Sequence, residues 1–163
     1  MLTITPFQPH HQQGVVELIL PIQQREFGID IDIARQRDLL DIPGFYRQGA
    51  GNFWVALDGE QVVGSISVLD IGAGQGALRK MFVKASHRGA GQGVAGQLLD
   101  TLLHWCAQQG LGDIYLGTTA QFLAAHRFYE KHGFSLVAKE ALPARFPVMA
   151  VDSRFYRRQL PRS

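Results

Sequence analysis

The sequence predicts an α/β fold in which a mixed β-sheet carries helices on both faces. The first observation is a hairpin, in which Asp58-Gly59 separates the apolar runs 53–57 and 61–68. The second is the alternation of strand and helix patterns from residue 78 onward, which adds further strands to the sheet. The third is the length of 163 residues, from which we expect a single domain over residues 1–163.

Composition and charge exclude several classes of protein. The net charge is +2 and the basic residues are scattered, apart from a small cluster near the C-terminus, so we expect no nucleic-acid partner. No apolar run approaches the roughly 18–20 residues of a membrane span, and residues 1–6 lack a signal-peptide pattern. Cys106 is the single cysteine, which excludes an internal disulfide and a thiolate metal cluster. We therefore expect a soluble cytoplasmic protein with no membrane partner, and the histidine spacing predicts no metal site.

The first fifty residues predict one strand and two helices. A short strand covers 2–5 and is stopped by the proline that follows. Apolar positions in 9–20 favour a helix that ends near Pro21. A second short helix is predicted over 32–40, with Asp32 as its N-cap.

A glycine-rich turn follows the apolar strand at 78–83 and precedes the longest predicted helix. The turn reads Arg88-Gly89-Ala90-Gly91-Gln92-Gly93, and the helix begins near Val94. Three glycines within five residues let backbone approach a ligand with no Cβ in the way. The free N–H groups and the positive dipole end of the helix favour an anion, and Arg88 adds a cation suited to phosphate. We therefore predict that this turn binds a pyrophosphate.

The rest of the chain continues the alternation of helices and strands. Its signals are an apolar stripe at helical spacing, short apolar runs of strand length, a capping box, and glycines that end helices. A helix is predicted from Val94 to a stop near Gly110, and a strand follows at 113–117. The next helix begins at Thr119 or Ala120, is capped by Thr118 with Gln121, and ends at Gly133. Strands are predicted at 134–137 and 149–156.

Two motifs of this sequence resemble those of one enzyme family. Arg88-x-x-Gly91-x-Gly93 after an apolar strand is similar to the acetyl-CoA signature of the GNAT N-acetyltransferases. Phe128-Tyr129-Glu130-Lys131-His132-Gly133-Phe134 resembles the second motif of the same family, in the same order and separation. The resemblance covers most of the chain from Phe53 onward. It implies a GNAT-like, mainly antiparallel twisted sheet in one N-acetyltransferase domain.

The resemblance also implies a reaction and a co-substrate. GNAT enzymes use acetyl-CoA, and the acetyl group passes to a primary amine of a small molecule or peptide by direct attack in a ternary complex. Tyr129 matches the general acid of the family, which protonates the departing thiolate, and a backbone N–H near Val83 would polarise the thioester carbonyl. The resemblance implies two sets of coenzyme-binding residues. The backbone of Met81, Phe82 and Val83 pairs with pantetheine as a strand would. The pyrophosphate is received by the amides of Arg88, Gly89, Ala90, Gly91, Gln92, Gly93, Val94 and Ala95.

The sequence departs from the family pattern at two positions. Many relatives carry a glutamate that serves as or near the general base, and here that position is Ala77. Many also carry an asparagine that contacts pantetheine, and here it is Phe122, which predicts an apolar wall near the coenzyme. The general base therefore stays open. Its candidates are Glu26, Asp30, Asp70, Asp152 and His126.

Two other classes of protein also stay open. Gly91-x-Gly93-x-x-Gly96 satisfies the fingerprint of NAD-binding enzymes, but the acid expected about 20 residues further on matches only Asp113, at the start of a strand. The second class is a sensor that binds acyl-CoA without catalysis, which Ala77 keeps open. The family fold also leaves room for a homodimer that forms through an edge strand.

Overall fold

Seven strands form one sheet in the computed structural model, which describes residues 1–89, 93–120 and 122–161. The strands lie in the order β1-β2-β3-β4-β5-β7-β6. Their bounds are β1 Leu2–Pro6, β2 Asn52–Asp58, β3 Gln61–Gly72, β4 Gln75–Val83, β5 Asp113–Thr118, β6 Ser135–Val137 and β7 Arg154–Gln159.

Helices cover both faces of this sheet, as predicted. One face packs against α4 and α5 through a core cluster that includes Leu98, Leu102 and Tyr129. The other face packs against α1, α2 and α3 through a second cluster. The bounds are α1 Gln12–Pro21, α2 Arg37–Leu40, α3 Ile42–Tyr46, α4 Val94–Gln108 and α5 Leu123–Lys131. None of the helices in the described ranges combines the length and the apolar character needed to cross a membrane.

The pairing of the strands confirms a mixed, mainly antiparallel sheet. Neighbouring strands are antiparallel except β4 and β5, which are the one parallel pair among the described strands. The Asp58-Gly59 hairpin between β2 and β3 is confirmed, and Gly59 takes a φ of +62° that its turn requires. A dinucleotide-binding domain of the predicted rival class needs a mostly parallel sheet. The NAD-binding alternative is therefore wrong.

The α-helix α1 ends at Pro21, as predicted, but the chain stays helical beyond it. Pro21 lies inside the helical segment with a φ of −61°, which is a helical value, and one turn of π-helix, Ile22–Glu26, follows it. The segment predicted as a helix over 32–40 divides into a 3₁₀ turn, Ile33–Arg35, and α2. Asp32 caps the first of these, as predicted, because its side chain accepts a hydrogen bond from the N–H of Arg35 at 3.1 Å.

Two predicted boundaries in the C-terminal half are wrong. The helix expected from Thr119 begins at Leu123, because Thr118 remains in β5 and its carbonyl accepts a hydrogen bond from the N–H of Ser153. Gln121, the other half of the predicted capping box, lies outside the described residues. The last strand begins at Arg154 because residues 149–152 form a turn instead of extended chain. Sequence analysis also missed α3, which Asp41 caps.

A buried lysine ties β4 to the helices of the second face. Lys80 has a φ of +53°, which is uncommon for a residue with a Cβ, and it lies where the register between β3 and β4 shifts. Its Nζ donates to Oε1 of Gln36 at 2.7 Å and lies 3.6 Å from Oδ2 of Asp38. The side chains of Lys80 and Asp38 are 9% and 7% exposed, so water does not replace these contacts. Residues 36–38 are thereby fixed against the irregular part of β4.

Replacing this lysine tests whether the ion pair is structural. Lys80→Met should lower the free energy of unfolding by about 3 kcal/mol, because it leaves the Asp38 carboxylate buried without its cation. The measurement is urea unfolding at pH 7. Lys131→Met, at an exposed position on α5, is the matched control and should change stability by less than about 0.5 kcal/mol. Equal effects of the two variants would contradict a structural role of the buried pair.

Candidate active site

A gap between β4 and β5 is the central feature of the candidate site. In the described chain these strands pair at three positions, and the last of these joins Ala77 to Tyr115. Beyond that point β4 pairs with β3 alone, while β5 pairs with β7 as far as Thr118. The left-handed Lys80 follows shortly after the last pair, and such irregularities increase the local twist of a strand. The separation leaves one backbone edge of β4 without a strand partner at residues 81–83, where the carbonyl oxygen of Val83 accepts a hydrogen bond from a side chain.

The start of α4 lies directly after the predicted pyrophosphate turn. Gly89 and Gly93 have φ values of +112° and +68°, which glycine adopts without strain. Gly93 is the N-cap of α4 and has no side chain to satisfy the first N–H groups of the helix, those of Val94 and Ala95. These groups can therefore receive an anion. The predicted contacts at Ala90, Gly91 and Gln92 lie outside the described residues.

Arg88 forms hydrogen bonds with two groups of the chain in this structure. Its Nε donates to the carbonyl oxygen of Val83 at 2.7 Å, and its two terminal nitrogens contact the carboxylate of Glu26 at 2.5 Å and 3.1 Å. The side chains of Arg88 and Glu26 are 41% and 38% exposed. An ion pair with this exposure contributes little to stability, so a phosphate could replace the carboxylate as the partner of Arg88.

Tyr129 lies beside the open edge of β4. It is 8% exposed on α5, and its hydroxyl donates to Sδ of Met81 at 3.6 Å. Burial raises the pKa of this phenol well above its usual value, because the charged phenolate is disfavoured away from water. The hydroxyl therefore stays protonated at neutral pH. It can act as a proton donor at the gap.

Two of the five candidates for the general base form hydrogen bonds with backbone groups through their side chains, and Nδ1 of His126 keeps no recorded partner among the described residues. The carboxylate of Asp70 accepts hydrogen bonds from the N–H groups of Ala50 and Gly72, both at 2.9 Å. His126 is 3% exposed, and its Nε2 lies 2.7 Å from the carbonyl oxygen of Thr119, to which it must donate. A third candidate, Glu26, forms an ion pair with Arg88.

An open cavity beyond the C-terminal end of β5 could admit a second substrate. Its volume is about 500 Å³, and apolar side chains form much of its wall. Phe122 lies on one side, with its ring centroid 4.2 Å from that of Phe27. The residues that line the cavity are Phe27, Gly28, Ile29, Asp30, Thr119, Ala120, Phe122, Val151 and Ser153.

The fourth base candidate, Asp30, lines this cavity, and the fifth, Asp152, lies in the turn that precedes β7. Its Oδ2 accepts a hydrogen bond from the N–H of Met149 at 3.0 Å. The carboxylate rests against Gly117 of β5, where a Cβ would lie 2.6 Å from Oδ2. Sequence analysis named Asp152 but missed Gly117. The available signal was a glycine inside a predicted strand, which often marks a close approach by another group.

Comparisons with known proteins agree with this geometry. The sequence pattern of the Acetyltransferase (GNAT) family matches residues 16–134. The crystal structure of a GNAT-family acetyltransferase from Staphylococcus aureus Mu50 is 35% identical, with a TM-score of 0.93 over 99% of this chain and 100% of that one. An acetyltransferase structure from Streptococcus agalactiae 2603 is 30% identical, with a TM-score of 0.92 over 98% of both chains.

Curated relatives show the same likeness over a shorter range. N-acetyltransferase 8F1 of Rattus norvegicus is 34% identical over 110 residues, which are 64% of this chain and 49% of that protein. The match therefore spans about half of the relative's length. The family pattern covers well over half of the present sequence, from α1 to the end of the second motif. This chain belongs to the GNAT family of acetyltransferases.

Proposed function

We propose that this protein transfers the acetyl group of acetyl-CoA to a primary amine of a small molecule or peptide, by direct attack in a ternary complex. The observation that carries the proposal is the gap between β4 and β5, with the protonated hydroxyl of Tyr129 beside Met81 at its edge. We also propose that residues 1–163 form one domain, because β1 and β7 belong to the same sheet. A cytoplasmic location and a homodimer stay predictions from the sequence.

The residues around the gap suit the coenzyme in shape and charge. Acetyl-CoA supplies an activated acetyl thioester. The open edge of β4 at Met81, Phe82 and Val83 offers backbone groups to the amides of pantetheine. The amides of Gly93, Val94 and Ala95 lie at the start of α4, where the helix dipole favours the pyrophosphate. Gly89 precedes them in the sequence and completes the proposed set.

Tyr129 acts as the general acid in this proposal. Departure of a thiolate leaves a negative charge on sulfur, which a nearby phenol can neutralise by proton transfer. The contact of the hydroxyl with the sulfur atom of Met81 supports this role, because Met81 belongs to the segment of β4 that we assign to the coenzyme. A phenol kept neutral by burial carries its proton throughout the physiological pH range.

The direct test is an assay of thiol release from acetyl-CoA across amino acids, polyamines, aminoglycosides and peptide N-termini. Release with at least one class of amine is the expected result. The alternative is a sensor without catalysis, which the alanine at position 77 favours because it removes a carboxylate that many relatives use. Tight binding of acetyl-CoA with no thiol released by any amine would support that sensor and contradict the enzyme.

Removal of the phenol hydroxyl should slow the reaction without weakening the binding of acetyl-CoA. Tyr129→Phe should lower kcat by about 10²-fold or more, the scale of a lost proton donor, while the Kd for acetyl-CoA barely changes. Steady-state kinetics and calorimetry measure the two quantities. Tyr115→Phe, at a buried position in another core cluster, is the matched control and should retain its rate. A normal kcat for Tyr129→Phe would exclude this residue as the acid.

Arg88 should act on coenzyme affinity. Arg88→Glu should raise the KM for acetyl-CoA by about tenfold or more, because a charge-assisted contact to phosphate is replaced by repulsion. The KM for the amine should change far less. Arg127→Glu makes the same charge change at an exposed position on α5 and serves as the control. Equal increases in both KM values would place the pyrophosphate elsewhere.

A further inference from the structure

We propose that Asp152 is the general base of the reaction, and that Gly117 provides the space in which its carboxylate lies. This inference rests on the proposed function, since it assigns a residue to the same transfer. The base was the one role that the sequence left without an assignment.

The position that carries a glutamate in many relatives cannot supply a base here. Ala77 is fully buried in a core cluster with Tyr115, Phe146 and Phe155. The aromatic side chains occupy the space on this face of the sheet that a longer side chain at position 77 would need. A carboxylate must therefore reach the gap from another element.

Asp152 reaches this face of the sheet from the turn before β7. Tyr115 is the last residue of β5 that pairs with β4, and Gly117 lies two residues further on, at the start of the gap. Side chains two residues apart on a strand share a face, so Gly117 lies on the face of Tyr115 and Ala77. An ideal Cβ at Gly117 would lie 2.6 Å from Oδ2 and 2.7 Å from Cγ of Asp152. The carboxylate thus occupies the volume of the missing side chain.

The proposed acid and base flank the gap from opposite faces of the sheet. Tyr129 belongs to the core cluster that includes Leu116 of β5. Leu116 lies between Tyr115 and Gly117 in sequence, so it points to the opposite face from Asp152. A thioester in the gap would therefore have the phenol on one side and the carboxylate on the other. An amine that enters from the side of Asp152 would approach the acetyl carbon away from Tyr129.

The carboxylate keeps capacity for a further hydrogen bond. In the part of the chain that the structure describes, its recorded hydrogen bond is the one from the N–H of Met149 to Oδ2. The charged group that acts on it is Arg79 of β4. Lys139 and Arg154 line the same open cavity of about 730 Å³, and Arg154 pairs with Glu130 of α5. Loss of contact with water raises the pKa of Asp152, and the N–H of Met149 and Arg79 act in the opposite direction. A higher proton affinity suits a group that must accept a proton.

The proton balance of the reaction assigns one transfer to each residue. The acceptor arrives as an ammonium ion, and Asp152 takes its first proton and later passes it to solvent. The free amine then forms the N–C bond to the acetyl carbon while the C–S bond breaks. Tyr129 gives its proton to the departing sulfur. The second proton lost by the nitrogen passes to solvent, from which the phenolate takes up a proton again. The products are an amide, free CoA and one proton.

Asp152→Asn separates catalysis from a role in the turn, because the amide oxygen of asparagine can still accept the hydrogen bond from Met149. The variant should lose about 10²-fold or more in kcat with at least one amine that the wild type acetylates. Its profile of kcat/KM against pH should also lose the acidic limb that titration of Asp152 produces. The Kd for acetyl-CoA should be unchanged. Activity within about threefold of the wild type, with the acidic limb intact, would overturn the assignment.

Thermal stability gives a second readout. A carboxyl group whose pKa is raised in the folded state destabilises that state once it ionises, above its ordinary pKa. Asp152→Asn should therefore melt at or above the temperature of the wild type at pH 7. Asp41→Asn is the matched control, because the Asp41 carboxylate also accepts a backbone N–H, that of Gly44 at 3.1 Å. This control should keep its kcat.

Gly117→Ala tests the same idea with the carboxylate still present. The added methyl group would displace the side chain of Asp152, so kcat should fall while the Kd for acetyl-CoA is retained. A normal kcat for a folded Gly117→Ala would count against the proposed position.

The two proposals fail separately. An active wild type with an equally active Asp152→Asn overturns only the assignment of the base. A wild type that binds acetyl-CoA and releases no thiol with any amine overturns the function and the base together.

Discussion

The candidate site depends on the loss of hydrogen bonding between two neighbouring strands. In an ordinary sheet, β4 and β5 would pair along their whole length and leave no backbone group for a ligand. Here they part after Ala77 and Tyr115. One edge of β4 is then exposed beside the start of α4 and the hydroxyl of Tyr129. The same separation lets groups on the two faces of the sheet approach one bound molecule.

The irregular part of β4 is held by contacts on the face that packs against α1, α2 and α3. Lys80 adopts a left-handed conformation, and its ammonium group is satisfied by Gln36 and Asp38 instead of by water. Residues 36–38 are thus linked to the strand edge that we assign to the coenzyme. The segment that precedes them lines the open cavity of about 500 Å³.

Local signals predicted the elements that local chemistry determines. The hairpin at Asp58-Gly59, the helix after the glycine turn and the cap at Asp32 all follow from short stretches of sequence. The features that complete the site depend on contacts between distant residues. The fit of Asp152 against Gly117 joins a turn to a strand 35 positions earlier in the sequence (152 − 117). The late start of α5 similarly results from pairing of β5 with β7, which a capping box does not reveal.

Amide hydrogen exchange with and without CoA tests the central claim most directly. If the coenzyme pairs with the open edge of β4, the amides of residues 81–83 should exchange about tenfold or more slowly in its presence. The amides of β1, which lies at the far edge of the sheet, should keep their rates. Unchanged exchange at residues 81–83 under saturating CoA would contradict coenzyme binding in the gap.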